Sequence, residues 1–234
     1  RSFTMSPSSL RYTLPALALS LGLMWAQAAQ AVALTAPVAP AFSADTDLNG
    51  TTAAARPELA GVVLADVLTP FSFSGINGMV QSRVVRENVA GTLDFYWRIN
   101  VTDSSSDLGV STFRLGNFGV ANLTDADWRL DGVGTAAPDF ARLFSASAVP
   151  DGAVNFSILN GVAAGASSRF FFLHTNATAF AQTGSFDLLT TGPQQLSSVY
   201  STFAPSAVPE PSSLVMAVAG LAALGVVLRR ARQA

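Results

Sequence analysis

Between residues 92 and 102, Leu93, Phe95, Trp97, Ile99 and Val101 are separated by Asp94, Tyr96, Arg98 and Asn100. An apolar residue at every second position is the period of a strand with one buried face, and it does not fit the 3.6-residue repeat of a helix. Shorter runs of the same character occupy residues 61–68, 71–75, 79–87, 110–118, 153–159, 169–175 and 185–190. Asn77-Gly78, Asp131-Gly132, Asp151-Gly152, Asn160-Gly161 and Thr191-Gly192-Pro193 supply the turn chemistry between runs. The spacing predicts an all-β body, an antiparallel β-sandwich of about eight strands over residues 59–203, jelly-roll-like or Ig-like in connectivity. No long amphipathic helical repeat interrupts it, and residues 139–144 read as at most one helical turn. Fourteen of the 16 phenylalanines lie between Phe71 and Phe203. At about 1.5–3 kcal/mol per buried side chain they supply a core without disulfides.

A disulfide-free core is required, because the 234-residue chain has no cysteine and one histidine, His174. Thiol catalysis, Cys-ligated zinc and sites built from several imidazoles are excluded with the disulfides. All 13 basic residues are arginine against 15 acidic ones, a formal charge of −2. With no basic surplus to neutralise phosphates, nucleic acid is excluded as a partner. Residues 32–211 hold all 15 acidic residues and eight arginines, a balance of −7, so the body is acidic.

Apolar residues are concentrated at both ends. Behind Arg11, residues 14–24 form an apolar run of signal-peptide length, followed by Ala29-Gln30-Ala31 and Ala31-Val32-Ala33. Both triplets have the small-x-small pattern that signal peptidase accepts, so residues 1–33 read as a signal peptide cleaved after Ala31 or Ala33. Residues 34–58, rich in Ala, Thr and Pro, read as a leader, and residues 204–213 as a stalk. Residues 214–228 are an unbroken apolar run that ends against Arg229, Arg230 and Arg232. As a helix at ~1.5 Å per residue this run covers about 22 Å, and it crosses a bilayer with help from Ser212, Ser213 and snorkelling arginines. The three arginines act as stop-transfer residues, leaving residues 229–234 cytoplasmic and everything before Ser212 outside.

Directly before that run stands Val208-Pro209-Glu210-Pro211-Ser212-Ser213. Two prolines fix an extended segment that does not join the helix, which leaves Glu210 accessible at the outer interface. A Pro-Glu-Pro, a short apolar helix and terminal arginines, in that order, resemble the tail of PEP-CTERM proteins over about 26 residues. The resemblance implies a Gram-negative bacterium, export through the Sec translocon with signal peptidase, and anchoring in the inner membrane before release to the cell surface or beyond it. It further implies recognition of Pro209, Glu210 and Pro211 by an exosortase, a membrane protease whose hosts typically make exopolysaccharide. The β-rich body is similar, more loosely, to bodies found ahead of such tails.

Asp45, Asp47, Asn49 and Gly50 match the first half of a calcium loop. Position twelve of that loop is Arg56, a cation where a bidentate carboxylate is needed, so a solvated leader is the preferred reading and no cofactor is expected. Asp103 and Asp107, and Asp125, Asp127 and Asp131, are carboxylates in loop contexts that Asx turns explain. His174 falls on the side of Phe170 and Phe172 and reads as structural, there being no Gly-x-Ser-x-Gly elbow. Glu58, Glu87 and Asp94 are nominal carboxylates for glycoside hydrolysis, whose separation sequence does not give. The chain reads as a substrate of processing, not as an enzyme. Trp97 falls on the core face, whereas Tyr96 and Trp128 are expected at the surface as platforms for a glycan. The expected role is structural or adhesive, at the envelope or in an exopolysaccharide matrix. The alternatives are a calcium-assisted carbohydrate-binding module and a secreted hydrolase.

Overall fold

The computed structural model describes residues 32–34, 45–119, 123–144 and 153–206. The signal-peptide run, Ala31, the Pro-Glu-Pro segment, the apolar run 214–228 and the terminal arginines lie outside the described residues. Among the described residues no helix is long and apolar enough to cross a membrane.

The described residues form β1 (Thr46–Asp47), a 3-10 turn (Pro57–Leu59), β2 (Val62–Phe73), β3 (Ile76–Arg86), β4 (Leu93–Ser104) and β5 (Val110–Gly116). They continue as β6 (Leu123–Trp128), β7 (Phe140–Phe144), β8 (Ala153–Val162), β9 (Phe171–Thr175), β10 (Phe180–Thr190) and β11 (Tyr200–Pro205). One sheet has the order β2-β3-β4-β9-β6 and the other β1-β7-β8-β5-β10-β11. Every ladder between named strands is antiparallel.

The alternating run of residues 92–102 is β4, the centre of the five-stranded sheet. Its apolar side meets the six-stranded sheet through aromatic rings: Trp97 lies 5.5 Å from Phe113, Phe113 stacks 5.1 Å from Phe186, and Phe156 lies 4.8 Å from Phe171. These are ordinary aromatic contact distances and form the middle of one core. A buried indole N–H requires an acceptor. Trp97 Nε1 donates to Thr202 Oγ1 at 2.8 Å, and that hydroxyl donates to Ser82 Oγ at 3.1 Å, tying β4, β11 and β3 together across the sandwich.

The strand pattern departs from expectation in specific places. Runs 61–68 and 71–75 are one strand, β2, which tolerates Pro70 because it is an edge strand bonded only to β3. Residues 140–144 are β7, not a helical turn. The β2–β3 reversal uses Ser74 and Gly75, with φ of 50° and 79°, and not Asn77-Gly78. Two positive φ values in a two-residue loop match the twist of a hairpin. Gly78 instead sits inside β3 at a bulge, where a Cβ would lie 2.2 Å from the Asn100 carbonyl oxygen. Asn160-Gly161 likewise lies within β8.

The leader is also ordered in part. Thr46 and Asp47 pair with β7, and Leu34 and Leu48 join the main core, so the described residues of the leader belong to the folded body. At the other end, Ala204 is buried within β11, so the first residues assigned to a stalk are sheet.

Candidate functional site

The outer face of the five-stranded sheet carries the polar chemistry. Asp94 and Tyr96 of β4 pair with His174 and Phe172 of β9, and those two pair in turn with Asp125 and Asp127 of β6. Period two therefore puts all six on one face, in two rows. Segment 48–61 crosses it. Thr51 N donates to the Trp128 carbonyl at 2.8 Å and the Thr51 carbonyl accepts from Leu130 N at 2.8 Å. Gly50 N donates to Asp127 Oδ1, and Ala53 N to Asp131 Oδ2, both at 2.8 Å. Leu59 then closes a second small core with Val85, Tyr96, Phe170 and Phe172.

That cover overturns the expectation for Tyr96, which is 3% exposed and stands in no position to act as a surface platform. Trp128 is half-buried, with the Arg169 guanidinium 5.4 Å from its ring. Alternation alone put Tyr96 outside the main core correctly, but gave no sign that a sequence-distant segment lies over it.

Asp94 is fully buried and needs a partner for its charge. Its Oδ1 lies 2.5 Å from His174 Nδ1 and its Oδ2 3.5 Å from the Tyr96 hydroxyl. Burial pushes the Asp94 carboxyl up, against the pull of His174. The hydrogen bond to Asp94 holds the His174 imidazole above its ordinary value of 6.5, outweighing its own burial. Together they retain a proton more firmly than either would in water. Arg56 closes the row: its terminal nitrogens meet both Asp125 oxygens at 3.2 Å and its Nε donates to Glu58 Oε1 at 2.7 Å. Burial works against the Glu58 charge, yet the Arg56 hydrogen bond prevails and holds that carboxyl below its ordinary 4.5. Asp127 is pushed up by burial, in spite of backbone N–H donors from Trp128 and Gly50.

The residues of the calcium half-loop are not brought together. Asp45 accepts from Arg142 Nε at 2.7 Å, Asp47 sits opposite Phe140 in β1, and Asn49 is exposed. Among the described residues no group of three or more His, Cys, Asp or Glu side chains is placed to hold a metal ion. Glu87 accepts from Thr92 Oγ1 at 2.5 Å and Ala90 N at 3.2 Å, fixing the β3–β4 connection. Asp103 accepts from Asn77 Nδ2 at 2.7 Å across a β3–β4 pair.

Beside the Asp94–His174 row a cavity of about 520 Å³ is lined by Gln81, Arg83, Tyr96, Arg98, Arg129 and Phe170, among others. The guanidinium carbons of Arg83 and Arg98 lie 4.8 and 5.2 Å from the centre of the Phe170 ring. No local motif announces this grouping. The available signal was the outward register of Gln81 and Arg83 on β3 beside Tyr96 and Arg98 on β4.

None of these groups belongs to the C-terminal tail, where comparison with known families bears directly. The family model described as the PEP-CTERM protein-sorting motif matches residues 207–233. The chain carries a PEP-CTERM sorting tail. A PEP-CTERM tail implies an exported protein, processed at the membrane with an exosortase as the processing partner. Pro209, Glu210 and Pro211 fall inside the PEP-CTERM match, as do Arg229, Arg230 and Arg232. No curated protein and no solved structure matches the chain.

Proposed function

We propose that this chain is an exosortase substrate whose sandwich serves a structural or adhesive role at the cell surface or in an extracellular matrix linked to exopolysaccharide. The PEP-CTERM match at residues 207–233 carries the reading. On it, residues 1–33 direct the chain to the Sec translocon and signal peptidase. Residues 214–228 then hold it in the inner membrane with Arg229, Arg230 and Arg232 on the cytoplasmic side. The exosortase acts at Pro209, Glu210 and Pro211. The nested pairing of β4 and β6 with β9, and of β8 and β10 with β5, is nearer to a jelly roll than to an Ig-like order.

A non-catalytic body is favoured by how its carboxylates are used. Glu58 and Asp125 are taken up by Arg56, Asp94 by His174, and Glu87 by a turn. Such interlocked bonds rigidify a face. The calcium-assisted form of the carbohydrate-binding alternative gains nothing from Asp45, Asp47 and Asn49, which do not converge.

The test is fractionation of cells with and without the exosortase, with the mass of the C terminus measured in each. The expected result is a shortened tail in the wild type and an intact, membrane-bound tail in the deletion strain. A tail that stays intact in wild-type cells overturns the reading.

A further inference from the structure

The cavity beside Tyr96 holds a positive charge that the protein does not balance. Arg83 and Arg129 are each neutralised. Asp66 Oδ2 accepts from Arg83 Nε and Nη2 at 3.0 and 2.6 Å, and Asp131 accepts from Arg129 Nε and Nη2 at 2.7 and 3.0 Å. Arg98 has no such partner among the described residues: no ion pair or hydrogen bond reaches its guanidinium, and its Nε is buried with no acceptor. What holds it is the Phe170 ring. That Nε is closed to solvent and is not an atom a ligand meets, but the side chain is half-buried and lines the cavity, so the site lacks one negative charge opposite the rest of the guanidinium. A general surplus of arginine does not explain this, because residues 32–211 hold eight arginines against 15 acidic residues.

One residual positive charge fits a monoanion, whereas a phosphate dianion would call for a second unpaired cation. The planar guanidinium fork matches a carboxylate, donating two parallel N–H bonds to its oxygens. The rest of the cavity is larger than a bare carboxylate needs, and its volume of about 520 Å³ falls in the range of small-ligand sites. Leu59, Val63, Val85 and Val133 give it apolar walls, and Gln81 adds an amide. We infer that the cavity bounded by β2, β3, β4 and residues 129–133 binds a monocarboxylate carried on a compact ring, with Arg98 taking the carboxylate. Two sources share this chemistry, the uronic-acid unit of an acidic glycan and an aromatic acid. The inference stands apart from the sorting assignment, which concerns other residues.

The experiment is calorimetric titration of the full-length protein in a sugar-free polyoxyethylene detergent at low ionic strength, with glucuronate, benzoate and glucose as probes. One of the two acids is expected to bind with Kd at or below about 1 mM, and glucose is not. Preference for glucuronate identifies the acidic-glycan source and preference for benzoate the aromatic one; either supports the site. Arg98→Gln is expected to weaken the bound acid at least tenfold without lowering the melting temperature. Val63→Glu, at a wall position that is half exposed, sets a fixed carboxylate against the ligand and is expected to weaken it similarly. This second variant keeps the test decisive even where Arg98→Gln folds poorly. Absence of binding by both acids at about 10 mM, equal binding of glucose, or binding unchanged in both variants overturns the inference. Processing of the tail is read separately by mass and is expected to be normal in both variants.

Discussion

His174 and Asp94 give the fold a pH dependence whose sign follows from their environment. His174 is held above 6.5 by Asp94, so the stability it contributes is fully present below 6.5 and is lost as pH rises through the folded value. Asp94, raised chiefly by burial, acts in the same direction, since the folded state again favours the proton. Among the groups that act on the pair from other elements are Asp125 on β6, Glu87 after β3, and Arg56 and Glu58 on the covering segment. Glu58 is held low by Arg56 over the opposing effect of burial, and Asp131 is held low by its hydrogen bond to Arg129. Their stabilisation is lost only as pH falls below their ordinary values of 4.5 and 3.8. The melting temperature is therefore expected to peak between about pH 5 and 6.5 and to decline toward pH 8. Calorimetric scans across that range should find the alkaline decline much reduced in His174→Gln. An unchanged decline would move its origin away from this pair.

At the scale of elements, the segment over the outer face is held by one side chain more than any other. Arg56 is largely buried and joins Glu58, Asp125 and the Phe172 ring, whose centre lies 5.7 Å from its guanidinium carbon. Arg56→Ala leaves two partly buried carboxylates without a cation, and is expected to cost about 3 kcal/mol in urea unfolding. In a double-mutant cycle, Asp125→Asn should recover part of that loss, whereas strict additivity would show the two residues to be uncoupled. The exposed edge strand β2 behaves oppositely. Val62 and Leu68 are 61% and 58% exposed, so Leu68→Lys is expected to change stability by no more than about 0.5 kcal/mol while raising the concentration at which the protein aggregates. Sequence alternation made β3, β4, β5 and the last part of β10 legible because each buries a regular face. It did not reveal β6, where Thr124, Asp125 and Asp127 leave few apolar positions in a short run, nor β7, where Arg142 breaks a short run. The arginine cavity was invisible for a different reason: its residues lie on strands and loops far apart in sequence and meet only through the sheet registers and Phe170.

At the scale of the molecule, the proposed signal-peptide cleavage points fall beside the first described residue of the fold. Val32 exchanges backbone hydrogen bonds with Ala126 at 3.4 and 3.3 Å, on the side of β6 away from β9. Cleavage after Ala31 keeps that pair, and cleavage after Ala33 removes it. A mature protein that begins at Val32 is expected to be about 1 kcal/mol more stable than one that begins at Leu34, a difference that paired denaturant titrations of the two forms would measure.

The C-terminal edge has a mechanical consequence. Ser206 N still donates to the Ala179 carbonyl at 3.0 Å, and Pro209 follows three residues later. Three residues reach no further than about 10 Å even when fully stretched. On the sorting reading the folded body thus stands within about 10 Å of the segment to be cut. A protease working there must either have an entrance wide enough to admit the rim of a folded domain, or wait for β11 to peel away.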